Sequence, residues 1–137
     1  QALQSGMHGC TFGGGPVAAT AGAYVLERVR KPGFLARVRR LGRALGAGLE
    51  RLVARHPSLA EARGLGLLRA GEIAAEAPYD PPALGAAARA HGLLLARGGE
   101  RAVRLLPPLT VTNEEIALAL ERLERAIAEL EAGGEQG

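Results

Sequence analysis

Apolar residues recur every third or fourth position over two long stretches of this chain and crowd together over several shorter ones. Between residues 34 and 55 they fall at Leu35, Val38, Leu41, Leu45, Leu49, Leu52 and Val53. That spacing predicts an amphipathic helix whose stripe needs a partner surface. Gly42, Gly46 and Gly48 lower its intrinsic propensity and suit close packing, and His56-Pro57 ends it. A second stripe, Ile116, Leu120, Leu123, Ile127 and Leu130, predicts a helix over 113–132. Thr112 and Glu115 stand three apart at its start, the spacing of a capping box, and Gly133-Gly134 ends it. A third helix is predicted over 16–30, with Pro16 in the first turn and Val17, Ala21, Tyr24 and Val25 on one face. Lys31-Pro32-Gly33 breaks it.

The shorter patterns predict strands. Residues 62–73 are apolar with interspersed glycine and read as one strand bearing a bulge or a close backbone approach. Ala77 to Pro82 reads as a loop and residues 83–91 as a short helix. Leu93 to Ala96 then reads as a strand, Arg97-Gly98-Gly99-Glu100 as a turn, and Ala102 to Leu106 as its antiparallel partner. Pro107-Pro108 stops the pairing. Helices alternating with short strands predict an α/β chain of the α+β kind: a small sheet with helices packed on one face.

Composition narrows the class. The chain has 137 residues and 47% apolar content, enough for a real core and unlike a disordered tail. Aromatic residues are scarce, so the core is expected to be leucine, alanine and valine. The net charge of +3 raises the question of nucleic acid. However, the charges are interspersed with acids along the helices, and no platform of basic and aromatic residues is visible. The densest basic cluster, Arg37, Arg39, Arg40 and Arg43, reads as a solvated helix face. No apolar run reaches membrane-spanning length, and the start of the chain lacks a signal-peptide layout. Nucleic acid and membrane are therefore not expected partners. Cys10 is the sole cysteine, so no internal disulfide forms, which fits a reducing, cytoplasmic setting.

Candidate chemistry gathers near the start, in His8-Gly9-Cys10-Thr11-Phe12-Gly13-Gly14-Gly15-Pro16. A glycine-packed turn there delivers the Thr11 hydroxyl to a helix mouth, where N–H groups attract phosphate or carboxylate. The same residues also suit a tight structural turn. His8, His56 and His91 are too dispersed for a metal motif, so no metal is expected. His56 and His91 lie near predicted helix ends, where they could cap carbonyls.

The His8–Pro16 segment resembles the His-Gly-Thr-Thr-Phe-Gly-Gly-Asn-Pro-Leu-Ala segment of the class III pyridoxal-phosphate-dependent aminotransferases. Two later stretches agree in kind and order. Glu61-Ala62-Arg63-Gly64-Leu65-Gly66-Leu67-Leu68 is similar to the family's Val-Arg-Gly-Leu-Gly-Leu-Met strand, and Val103-Arg104-Leu105-Leu106-Pro107-Pro108-Leu109-Thr110-Val111-Thr112 to its Val-Arg-Phe-Leu-Pro-Pro-Leu-Thr-Val-Thr. The poorest match is over residues 69–92.

The resemblance implies the C-terminal part of the fold-type I transferase fold. Residues 1–32 are then a remnant of the large cofactor-binding domain with a linking helix, and 33–137 the small C-terminal domain, its sheet mainly antiparallel. It implies transamination between a small-molecule amino donor and 2-oxoglutarate with pyridoxal 5'-phosphate as cofactor. Thr11 would contact the cofactor phosphate across a homodimer interface. Cys10 stands where the family has the first threonine of a pair, and a thiol is a weak donor, so its contact would come from the backbone N–H. Arg104 matches the family arginine near the substrate carboxylate and would bind it through a planar guanidinium; a salt bridge within the scaffold is the competing reading. The catalytic lysine lies upstream in the family, and Lys31, the single lysine here, sits in an exposed-looking turn. The chain therefore reads as a C-terminal fragment, expected to be inactive alone. A stand-alone interaction module that catalyses nothing is the rival reading.

Overall fold

The computed structural model describes residues 13–134. They form four helices and four strands in the order α1 (Pro16–Val29), α2 (Pro32–Arg55), β1 (Leu59–Leu65), β2 (Leu68–Ile73), α3 (Pro81–Ala90), β3 (Ala96–Arg97), β4 (Ala102–Leu105) and α4 (Asn113–Gly134). The chain divides into two compact units, 1–36 and 37–137.

In the first unit, Gly14 takes a positive φ of 77° and Gly15 is extended, so the backbone turns into Pro16 at the first position of α1. Proline there sacrifices no hydrogen bond, because that N–H has no helical acceptor. Arg28 lies over the Tyr24 ring, 5.2 Å from its centroid, and its Nη2 donates to the Tyr24 hydroxyl at 2.7 Å.

The second unit holds the core. Leu41, Leu45, Leu49 and Leu52 of α2 are buried at the predicted spacing. They join Leu84 and Ala88 of α3, Ile116, Leu123, Ala126 and Ile127 of α4, and Leu59, Ile73, Val103 and Leu105 from the strands. The sheet is antiparallel throughout, in the order β1-β2-β4-β3. Its register pairs Arg69 with Leu105, Ala70 with Arg104 and Gly71 with Val103. Side chains alternate across a strand. Val103 and Leu105 therefore face the core and Arg104 the opposite side, together with Ala70 and Glu72.

The segment 62–73 is not one bulged strand. Gly66 and Leu67 form a turn, and the two halves fold back as β1 and β2, with Leu65 opposite Leu68. Gly64 and Gly66 both have positive φ, 128° and 57°, so these glycines mark a reversal of direction. The strand expected at 93–96 is confined to Ala96 and Arg97. The short helix begins two residues early, because Asp80 accepts from the Ala83 N–H at 2.9 Å and Pro81-Pro82 occupy the first turn. The capping box of α4 forms as expected: Thr112 N–H donates to Glu115 Oε2 at 2.8 Å, and Glu115 N–H to Thr112 Oγ1 at 3.2 Å.

Candidate functional site

Thr11 and Cys10 lie outside the described residues, as does His8. What is described of their motif is its exit, Gly13 to Pro16, which delivers the chain into α1.

Lys31 is exposed between α1 and α2. A lysine that bonds a carbonyl cofactor needs a desolvated or electrostatically depressed amine. The exposure of Lys31 leaves its amine solvated. Among the described residues no group of three His, Cys, Asp or Glu could hold a metal ion. No helix among them is long and apolar enough to cross a membrane.

Arg104 sits on β4 between the buried Val103 and Leu105, half-buried on the sheet face away from the core. Its Nη2 donates to the Arg97 carbonyl at 2.9 Å. Among the described residues no carboxylate pairs with it, and Nε and Nη1 have no acceptor. Arg63, on the same face, differs: its guanidinium is bonded to Glu72 and lies 3.8 Å from Glu61. Of these two arginines, only Arg63 is neutralised by a carboxylate among the described residues. Among the described residues a neutral carbonyl, rather than a salt bridge, holds Arg104.

Three further arrangements were not foreseen. Arg37 departs from the solvated cluster: its guanidinium donates to the carbonyls of Leu109 at 3.0 Å, Thr110 at 3.1 Å and Val111. It thereby holds the segment that follows β4. Arg69 bonds the carbonyls of Gly66, Gly64 and Gly42 at 2.9, 3.0 and 3.0 Å, fastening the β1–β2 turn to α2. Third, the two histidines bind carboxylates rather than capping carbonyls. His56 Nδ1 lies 2.7 Å from Glu131 Oε2, and His91 Nε2 lies 2.8 Å from Glu129 Oε2. The other Glu131 oxygen accepts from Ser58 Oγ at 2.5 Å, and Ser58 Oγ lies 2.6 Å from the Tyr79 hydroxyl. Ser58 has one proton, and the carboxylate takes it, so Tyr79 is the donor in the second bond. Burial raises the Tyr79 pKa, and the Glu131 charge adds to this against the opposing Ser58 bond. In Glu131, desolvation is the largest influence and acts upward, but the bonds from Ser58 and His56 and the His56 charge outweigh it. The carboxyl is held below its ordinary range. Ser58 touches no histidine nitrogen, so the cluster is not arranged to activate a nucleophile. A periodicity reading has no signal for these long-range contacts.

The Aminotransferase class-III family model matches residues 1–127. The acetylornithine aminotransferase of Thermosynechococcus vestitus is 42% identical over 131 residues, 95% of this chain and 32% of its own length. The N-acetylornithine aminotransferase structure from Stenotrophomonas maltophilia superposes with a TM-score of 0.80 at 30% identity, over 86% of this chain and 32% of that one. The ornithine aminotransferase of Toxoplasma gondii, which shows partial occupancy of PLP at its active site, gives 0.80 at 30% identity over 97% and 32%. This chain thus spans about a third of the length of the curated relatives it matches. With the motifs in order, the sheet and its helices matching solved transaminases, and the family model covering most of the sequence, the chain belongs to the class III aminotransferases.

Proposed function

We propose that this chain is the C-terminal part of a cytoplasmic acetylornithine aminotransferase, which moves an amino group between N-acetylornithine and 2-oxoglutarate. The observation that carries the reading is identity near 40% to acetylornithine aminotransferases along almost the whole chain. In this reading residues 1–32 belong to the large domain and its linking helix, and 33–137 are the small domain. Pyridoxal 5'-phosphate, when bound, supplies the electron sink for amino transfer. Its covalent attachment falls to a lysine outside this chain, in keeping with the exposure of Lys31. The Thr11 hydroxyl and the Cys10 N–H would contact its phosphate across a homodimer interface; a hydroxyl and a backbone N–H both suit a dianion.

Arg104 would bind a substrate carboxylate. Its guanidinium has no carboxylate partner among the described residues, which supports that role, because a charge already neutralised by a neighbouring acid has less to offer a ligand. The test is a donor panel with the full-length polypeptide that carries this segment, loaded with cofactor and supplied with 2-oxoglutarate. N-acetylornithine is expected to give the highest kcat/KM among N-acetylornithine, ornithine, N-succinylornithine, aminoadipate semialdehyde's amino counterpart and 4-aminobutyrate. A preference for any other donor overturns the acetylornithine assignment within the family.

A further inference from the structure

Strand β3 is the outermost strand of the sheet, next to β4 alone. Ala96 stands opposite Arg104, Arg97 opposite Val103, and Gly98 N–H donates to the Ala102 carbonyl at 2.8 Å. In an antiparallel ladder, residues that exchange bonds with the partner strand alternate with residues whose N–H and C=O point away. Arg97 falls in the second set, so its carbonyl is turned to the free edge. That is the carbonyl to which Arg104 Nη2 donates at 2.9 Å.

The ladder bond of Gly98 N–H fixes the direction of this carbonyl, and the tight turn that follows holds the end of β3 in that register. Gly99 has φ +124°, where an L side chain is strained. A Cβ on Gly98 would stand 3.1 Å from the Ala102 carbonyl oxygen. Arg97 itself ties the turn down, its Nε donating to the Gly99 carbonyl at 3.2 Å. A carbonyl anchor has a chemical consequence that a carboxylate anchor lacks. It orients the guanidinium without discharging it, and leaves the second Nη2 hydrogen and its edge neighbour for a planar two-point contact.

We propose that the Arg97–Arg101 turn is a positioning element that aims Arg104 at a substrate carboxylate, with Gly99 and Arg97 as its positioning residues. This rests on the reading that Arg104 binds a carboxylate. The probe is glutarate, an unreactive five-carbon dicarboxylate. Its Kd is measured by calorimetry on the full-length, cofactor-loaded protein, alongside KM and kcat for 2-oxoglutarate. Gly99→Ala is expected to weaken glutarate about three- to tenfold, the scale of one misdirected charge-assisted bond, and to raise KM more than it lowers kcat. Arg97→Ala, which keeps the carbonyl but frees the turn, is expected to weaken glutarate about threefold. It serves as the variant if Gly99→Ala does not fold. In an Arg104→Ala background neither change is expected to matter further, because coupled residues are not additive.

If Arg104→Ala weakens glutarate but both turn variants bind like the parent, the turn proposal is wrong and the carboxylate reading stands. If the turn variants weaken glutarate equally without Arg104, the turn acts elsewhere and the proposal is likewise wrong. Unchanged binding in Arg104→Ala removes the carboxylate reading and the proposal with it.

Discussion

The long-range polar contacts of the second unit are made mostly by charged residues bonded to backbone carbonyls, to a hydroxyl or to a histidine. Glu131 is the clearest case, since Ser58 and His56 both depend on it. Its pKa is lowered in the fold from an ordinary 4.5. A carboxyl with a depressed folded pKa stabilises the fold above its unfolded pKa, and that contribution is lost as pH falls through the folded value. Thermal midpoints are therefore expected to drop as pH is taken below about 4.5. Glu131→Gln should lower the midpoint at neutral pH and flatten the acid limb. The groups facing Glu131 are His56, Ser58 and, through Ser58, Tyr79. Arg55 and Glu124 pair with each other nearby at 2.5 Å. An acid limb of equal steepness in the variant would show that other carboxyls govern it. Arg37 offers a second measurement at this scale. Arg37→Ala releases three carbonyls, and the expected loss is about 1–3 kcal/mol, because charged hydrogen bonds are worth that much but two of these three are exposed. Urea unfolding with an unchanged slope would read it directly.

At the scale of elements, the glycines of α2 differ in their roles. A Cβ on Gly42 would stand 2.6 Å from the Gly66 carbonyl carbon and oxygen, which are backbone in a turn fastened by Arg69. Backbone held in this way cannot yield, so Gly42→Ala is expected to cost about 1–3 kcal/mol in overpacking despite the better helix former. A Cβ on Gly48 would instead meet a methyl of Leu120, the flexible end of a side chain. Gly48→Ala should cost less, since alanine returns up to about 1 kcal/mol of helix propensity. Equal losses for the two would mean that the β1–β2 turn can retreat from α2. These glycines also show what was legible from the pattern of residues. Close approach to α2 was readable from Gly42, Gly46 and Gly48, but what approaches was not. The partner is the turn at Gly66 for Gly42, the Arg69 guanidinium for Gly46 and Leu120 for Gly48, and residues 62–73 read as a single strand because a two-residue reversal leaves the apolar run almost unbroken. Positive φ at Gly64 and Gly66 is invisible to periodicity. The stripes of α2 and α4 were legible because each long helix buries one face, and the Thr112–Glu115 cap because it is local. The carbonyl that holds Arg104 was not, since it depends on strand register.

For the whole molecule, the placement of the core decides what folds alone. Every buried apolar residue among those described lies between Leu41 and Ile127. None of the residues of α1 is buried. An isolated helix of that length is marginal in water, because nucleation is unfavourable and propagation short of about 12–15 residues barely offsets it. A peptide covering residues 13–31 should therefore show little helix by circular dichroism in buffer. A polypeptide of residues 32–137 keeps α2 whole, the Arg37 clamp, the sheet, and the polar ties of α4 to Arg55, His56, Ser58 and His91. It is expected to unfold in one cooperative transition, with a midpoint within about 4 °C of the 1–137 chain, the shift that about 1 kcal/mol produces in a domain of this size. The comparison uses calorimetric and van't Hoff enthalpies as the check on two-state behaviour. A midpoint lowered well beyond that, or a broad transition without a matching enthalpy, would mean that residues before Pro32 contribute to the stability of the second unit.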